Sequence, residues 1–188
     1  MTRALAVIVA LGALVGGFLF VEETTPAWYA RMRYPLEYQH IVVGHAKNYE
    51  LDPALLAAVI YRESKFDEKA RSSSGAVGLM QLLPETAKGI AVHTGGHKFV
   101  VSDLEDPEIN VRYGAFYLRR LIRKYGEVPL ALAAYNAGQA NVDEWEAAGE
   151  EIGFPETRQY VDEVLELQKI YRRAYDDELG ERSSTDPS

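Results

Sequence analysis

Glu63 is the residue in this sequence best placed to do chemistry. It lies within the stretch from Asp52 to Gln81, near the end of a run of helix formers. Asp52 followed by Pro53 reads as an N-cap and first helical residue, because the Asp oxygen can accept from an orphan N–H and Pro has none to lose. At ~100° per residue, Leu56, Val59, Ile60 and Phe66 fall within about 60° of Glu63, whereas Tyr61 and Lys65 point elsewhere. The carboxylate therefore occupies the middle of an apolar stripe, where a core leucine would be expected. Burial disfavours the charged form, so such an acid keeps its proton to higher pH than a surface Glu. A carboxylic acid protonated near neutral pH is what a glycosidase uses on a leaving oxygen. The bland alternative is a groove-edge Glu paired with Arg62 or Arg71.

Composition narrows the partners. The chain has 188 residues, enough for one domain with extensions, and its 47% hydrophobic and 26% charged content is that of a globular fold. A net charge of −8 argues against nucleic acid, which demands a basic face. Nor does it provide attraction to an anionic polymer, so glycan binding would rest on hydrogen bonds and aromatic stacking. Twelve Tyr and two Trp can supply the stacking. With no cysteine there is no disulfide, thiolate metal site or lipidated Cys.

Several elements must position the acid. Residues Ala4 to Val21 form 18 consecutive uncharged apolar or small residues, a length that favours a membrane span over a secretory h-region. Arg3 supplies the positive flank, which places the N-terminus in the cytoplasm and the remainder outside, with Trp28 and Tyr29 at the far interface. A cleaved signal peptide is the alternative, and it would release a secreted protein. The expected organisation is a membrane anchor over 1–23, a linker over 24–35, a catalytic domain over 36–179 and a flexible tail over 180–188. Within the domain, Pro35 opens a helix with Tyr38, Ile41, Val42, His45, Ala46 and Tyr49 at helical spacing. His40 and His45, at i and i+5, share no face and are expected to be solvated or hydrogen-bonded rather than metal ligands. Ser72 to Gly75 is a turn, Pro84 to Ala91 a short helix, and His93 to Val101 a loop. A second Asp-Pro pair at Asp106 opens a helix whose apolar residues, from Ile109 to Tyr125, predict the hydrophobic axis of the domain, with Gly126 at its end. Pro129 begins a small-residue helix ending at Gly138, and Pro155 leads into a long final helix.

Four stretches carry a resemblance. Glu63-Ser64-x-Phe66, Gly75-Ala76-x-Gly78-Leu79-Met80-Gln81, Ala134-Tyr135-Asn136-Ala137-Gly138 and Glu156-Thr157-Arg158-x-Tyr160-Val161 occur in that order. Together they resemble the lytic transglycosylase catalytic domain of the goose-lysozyme-like superfamily, which cleaves bacterial peptidoglycan. The likeness runs from about Glu37 to Tyr175. It implies a mainly α, lysozyme-like domain with a substrate groove. It also implies that Glu63 is the catalytic acid and that Ser72 lies close to it. Met80 would border the cleft, Gln81 would hydrogen-bond substrate, Tyr135 would sit near the acid, Asn136 would bind an N-acetyl sugar, and Tyr160 would lie over the cleft. Asn110 and Gly114 also match the family, for helix packing. The chain departs from the pattern at Gln139-Ala140, where the family often has Pro-Gly, a difference confined to a turn.

A two-carboxylate hydrolase needs a second acid about 5–9.5 Å from the first. Asp67 and Glu68 are the nearby candidates, and only Asp67 shares the Glu63 face. A single-acid scheme fits better and is what the resemblance implies. Glu63 would protonate the oxygen between N-acetylmuramic acid and N-acetylglucosamine, then accept the proton of the C6 hydroxyl as it closes on C1. The product would be a 1,6-anhydromuramyl end, formed without metal or cofactor. A lysozyme-type hydrolase and a non-catalytic glycan-binding module are the alternatives.

Overall fold

Proline and aspartate set the helix starts. Pro53, Pro84, Pro107 and Pro155 each open a helix, where a missing N–H costs nothing. Asp52 accepts from the Ala54 N–H at 2.8 Å, and Asp106 accepts from those of Glu108 and Ile109 at 2.9 and 3.1 Å. The computed structural model describes residues 26–94, 96 and 98–180. In order these form α1 (Ala27–Arg33), α2 (Gln39–Asn48), α3 (Pro53–Ser64), α4 (Pro84–His93) and a 3₁₀ turn (Val101–Glu105). There follow α5 (Pro107–Tyr125), α6 (Val128–Ala137), α7 (Gln139–Ala148), α8 (Pro155–Ala174) and α9 (Asp176–Leu179). The domain is mainly helical, with two isolated bridges, Arg71 to Val77 and Val77 to Leu82, in the segment between α3 and α4.

The expected anchor over 1–23 and the tail beyond Gly180 lie outside the described residues. Among the described residues no helix is long and apolar enough to cross a membrane. The stretch read as a linker contains α1, whose Ala30 is buried and whose Arg31 donates to the Ala174 carbonyl at 2.9 Å. The second helix starts later than Pro35 suggests. Tyr38 sits in the left-handed region at φ 50°, which resets the chain before Gln39, and its hydroxyl donates to Glu68.

The hydrophobic axis is α3 rather than α5. Leu56, Ala57, Ala58, Val59 and Ile60 are all 0% exposed, so α3 is surrounded on every side. It packs chiefly against α8, with α2 beside it. On α5 the buried face is rotated from the one its apolar residues suggest. Ile109, Phe116 and Tyr117 are only partly covered, while Asn110 and Gly114 are buried. The cause is close approach: a Cβ at Gly114 would come within 2.2 Å of the Met80 sulfur.

Two cores result. The larger gathers α2, α3, α6 and α8, and the smaller holds Val77, Leu82, Ala87, Ile90, Ala91, Leu104 and Tyr113. Tyr117 and Tyr135 pack against both, with ring centroids 5.5 Å apart, and so mark the seam. Asn110 ties the two sides together. Its Oδ1 accepts from the Met80 N–H at 2.8 Å, and its Nδ2 donates to the carbonyls of Val77 and Leu104 at 2.9 and 2.8 Å. Asn110→Ala would strand three buried backbone groups, and a cost of about 3 kcal/mol is expected. Urea unfolding should show the lower midpoint with little change of slope.

Candidate active site

The seam between the cores opens into a groove of about 360 Å³. Glu63 reaches it from the last turn of α3. From the segment after α3 come Ser72, Ser74, Ala76 and Gln81 to Leu83, and α4 adds Thr86. Tyr117 of α5 and the end of α6, from Tyr135 to Gly138, complete the wall. Glu63 is the one acid among the lining residues. Asp67 is exposed and accepts from the Lys69 N–H, while Glu68 accepts from Tyr38, so neither serves as a second carboxylate there.

Helix α3 ends one residue after Glu63 because Lys65 turns left-handed at φ 53°, and Phe66 follows at φ 65°. Those two turns bury Phe66 and free the chain to return as the groove floor. Ser64 fixes the return, donating to the Leu79 carbonyl at 2.8 Å. Gly78 must be glycine at φ 79°, since a Cβ there would lie 2.2 Å from both the Asn110 side chain and the Leu104 carbonyl.

Burial raises the Glu63 carboxyl above its ordinary value of 4.5, and two weaker effects oppose it. The Tyr160 hydroxyl donates to Glu63 Oε1 at 2.6 Å, and the Arg62 guanidinium lies nearby, 5.3 Å from the Tyr160 ring centre. Arg62 itself pairs with Glu163 at 2.5 Å. Tyr160 and Tyr135 have hydroxyl pKa values pushed well up, first by burial and then by the Glu63 charge, so both remain proton donors. The arrangement is a single carboxyl group, its pKa raised by burial and its oxygen bonded by a phenol, facing a polar groove. It can give a proton to a ligand oxygen and take one back.

The expected site residues fall into two groups. Glu63, Ser72, Gln81, Tyr135 and Asn136 all line the groove. Met80 and Tyr160 do not. Met80 was expected at the cleft border, yet its side chain is 0% exposed beneath the floor, wedged against Gly114. Its carbonyl instead accepts from the Tyr135 hydroxyl at 2.7 Å. Tyr160 was expected over the cleft, yet its ring is 1% exposed and only its hydroxyl reaches the acid. The Gln81 amide Nε2 is committed to the carbonyls of Ala70 and Gly78, which leaves Oε1 for a ligand. Ser72 Oγ accepts from the Ala76 N–H and bonds Ser74. Asn136 is exposed, with Oδ1 accepting from the buried Thr157 hydroxyl at 2.8 Å, so its Nδ2 is the free donor.

Sequence reasoning missed the supporting residues. Thr157 and Ser64 stood inside the quoted motifs with no role, and Tyr117 was placed in the core. Tyr117 carried no signal, because it lies in the middle of the apolar stripe on α5. His45, expected to be solvated or hydrogen-bonded, bonds Glu108 at 2.9 Å, a partner the sequence did not reveal.

The family model for the transglycosylase SLT domain matches residues 41–154. The chain belongs to the transglycosylase SLT family. It is 34% identical over 157 residues to a soluble lytic murein transglycosylase of Salmonella typhimurium, covering 74% of this chain and 24% of that protein. A membrane-bound lytic murein transglycosylase F of Yersinia pestis is 35% identical over 73% of this chain and 27% of its own length. Among solved structures, a lytic transglycosylase Slt of Pseudomonas aeruginosa, an inactive mutant, matches with TM-score 0.72 and 36% identity over 79% of this chain and 26% of that one. The 70-kDa soluble lytic transglycosylase in complex with bulgecin A matches with TM-score 0.74 and 31% identity, over 84% and 27%. The SLT chain thus spans about a quarter of the length of these relatives. The family match ends before the fourth motif, so Tyr160 stands outside it and is tied to the site by its bond to Glu63.

Two titration results are expected. Removing the Tyr160 hydroxyl removes a bond that favours the carboxylate, so Tyr160→Phe should raise the Glu63 pKa further, read by carboxyl NMR. An acid that titrates higher folded than unfolded stabilises fully below its unfolded value and loses that contribution as pH rises through its folded one. Glu63→Gln should therefore melt higher than the wild type at pH 7, and the advantage should vanish below about pH 4.

Proposed function

We propose that this chain is a peptidoglycan lytic transglycosylase, with the catalytic domain over 36–179 and Glu63 as both acid and base. The observation that carries this is a solitary carboxyl, its pKa raised by burial, in a polar groove of the SLT fold. Glu63 protonates the glycosidic oxygen between N-acetylmuramic acid and N-acetylglucosamine. The leaving sugar departs with that proton, and the substrate's own N-acetyl group supports the positive charge at C1. Glu63, now a carboxylate, takes the proton of the C6 hydroxyl as its oxygen bonds to C1, giving the 1,6-anhydro end. Gln81 Oε1 and Asn136 Nδ2 orient the strand, one as acceptor and one as donor. Tyr160 holds the carboxyl in place, and Met80 supports the floor. No residue role here calls for a metal or cofactor.

We further propose that Ala4 to Val21 tethers the domain outside the cytoplasm. The apolar run with Arg3 before it supports this reading, and relatives named as soluble and as membrane-bound both occur.

Glu63→Gln should lower the rate of peptidoglycan cleavage by at least about 10²-fold while leaving the fold intact. Clearance of a peptidoglycan suspension at the wild-type rate would remove Glu63 from the mechanism. Mass spectrometry of the digest decides the chemistry, since anhydro ends mark transglycosylation and reducing ends mark a lysozyme-type hydrolase. Binding of glycan by the folded wild type without any product would mark a non-catalytic module.

A further inference from the structure

Helix α1 displays two large apolar side chains that no packing in the domain covers. Trp28 is 66% exposed and Met32 is 68% exposed. At ~100° per residue they lie about 40° apart and directly opposite Ala30, the residue α1 buries. The helix is firmly mounted. Arg31 donates to the Ala174 carbonyl at 2.9 Å and pairs with Glu178 at 2.5 Å, and Arg33 donates to the Tyr61 hydroxyl at 3.0 Å. An outward Trp above an outward Met on a fixed helix is an interaction surface.

We propose that the Trp28–Met32 face of α1 rests on the lipid bilayer surface, and that the contacts of α1 with α8 fix the groove relative to that face. The inference rests on the reading that Ala4 to Val21 is embedded in the membrane. Only residues 22–25 separate that run from Pro26. Even fully extended they let α1 begin no more than roughly 18 Å from the end of the run. An indole suits the headgroup boundary, with an apolar body and a polar N–H, and Met adapts to it. The residues of α1 include no acid, so the helix itself brings no carboxylate to the anionic headgroups although the chain as a whole is acidic. The same α8 that receives Arg31 at Ala174 holds Glu63 through Tyr160. Those positions are 14 residues apart, roughly 21 Å at 1.5 Å per residue. Glu63 is thereby held about 20 Å along α8 from the contact that mounts α1.

The chain's two tryptophans make the test direct, because Trp145 is 9% exposed and serves as internal reference. Full-length protein is reconstituted into vesicles of phosphatidylethanolamine and phosphatidylglycerol, with and without lipids brominated in the upper acyl chain. The expected result is loss of Trp28 emission to the bromolipid, and no comparable loss in Trp28→Phe. Protein that stays with the vesicles through alkaline washing, yet shows equal emission in both lipids, overturns the docked face alone. Protein released by the wash overturns the tether and the docked face together.

Discussion

The hydrogen bond from Tyr160 to Glu63 is the contact on which the rest of this structure converges. A carboxyl at the end of a helix buried on all sides is costly to ionise, and the negative end of the α3 dipole adds to that cost. Left alone, it would be a proton held too tightly to give up. The phenol, 2.6 Å away and buried on α8, offsets part of the burial and fixes which way the carboxyl faces. Arg62 adds a weaker pull, tempered by its own pair with Glu163. The acid is therefore tuned by three groups on only two helices, the two that pack most extensively against each other.

Much of this was legible in the sequence, and the failures share one cause. Asp52-Pro53 and Asp106-Pro107 marked their helices because capping is local chemistry, settled within four residues. Glu63 stood out because an acid in an apolar stripe is visible from periodicity alone. Met80 and Tyr160 were misplaced because a motif says that a residue is near a site, not on which side of the wall it lies. Their burial depends on how closely α5 and α8 approach, and that is set at Gly114 and across the α3–α8 contact. The α5 axis failed for the same reason: apolar residues marked one face, but Asn110 and Gly114 were what the packing required. Thr157 and Ser64 carried no sequence signal beyond motif membership, since a hydroxyl that braces a backbone carbonyl or an amide looks like any other Ser or Thr.

The groove floor shows where such bracing becomes necessary. Of the five non-glycine residues in the left-handed region among the described residues, Lys65, Phe66 and Gln81 flank the site. Each conformation of that kind costs on the order of 1–3 kcal/mol and persists only where neighbours over-determine it. Here they do: Lys65 N–H closes on the Tyr61 carbonyl, Phe66 is buried, and Gln81 turns its amide back onto Ala70 and Gly78. Gln81 consequently braces the loop that displays it. Its Nε2 is anchored, and its Oε1 is left uncommitted on a residue that lines the groove. Stiffness of the floor and polarity of the groove are thus properties of one side chain, and a substitution there cannot alter either without the other.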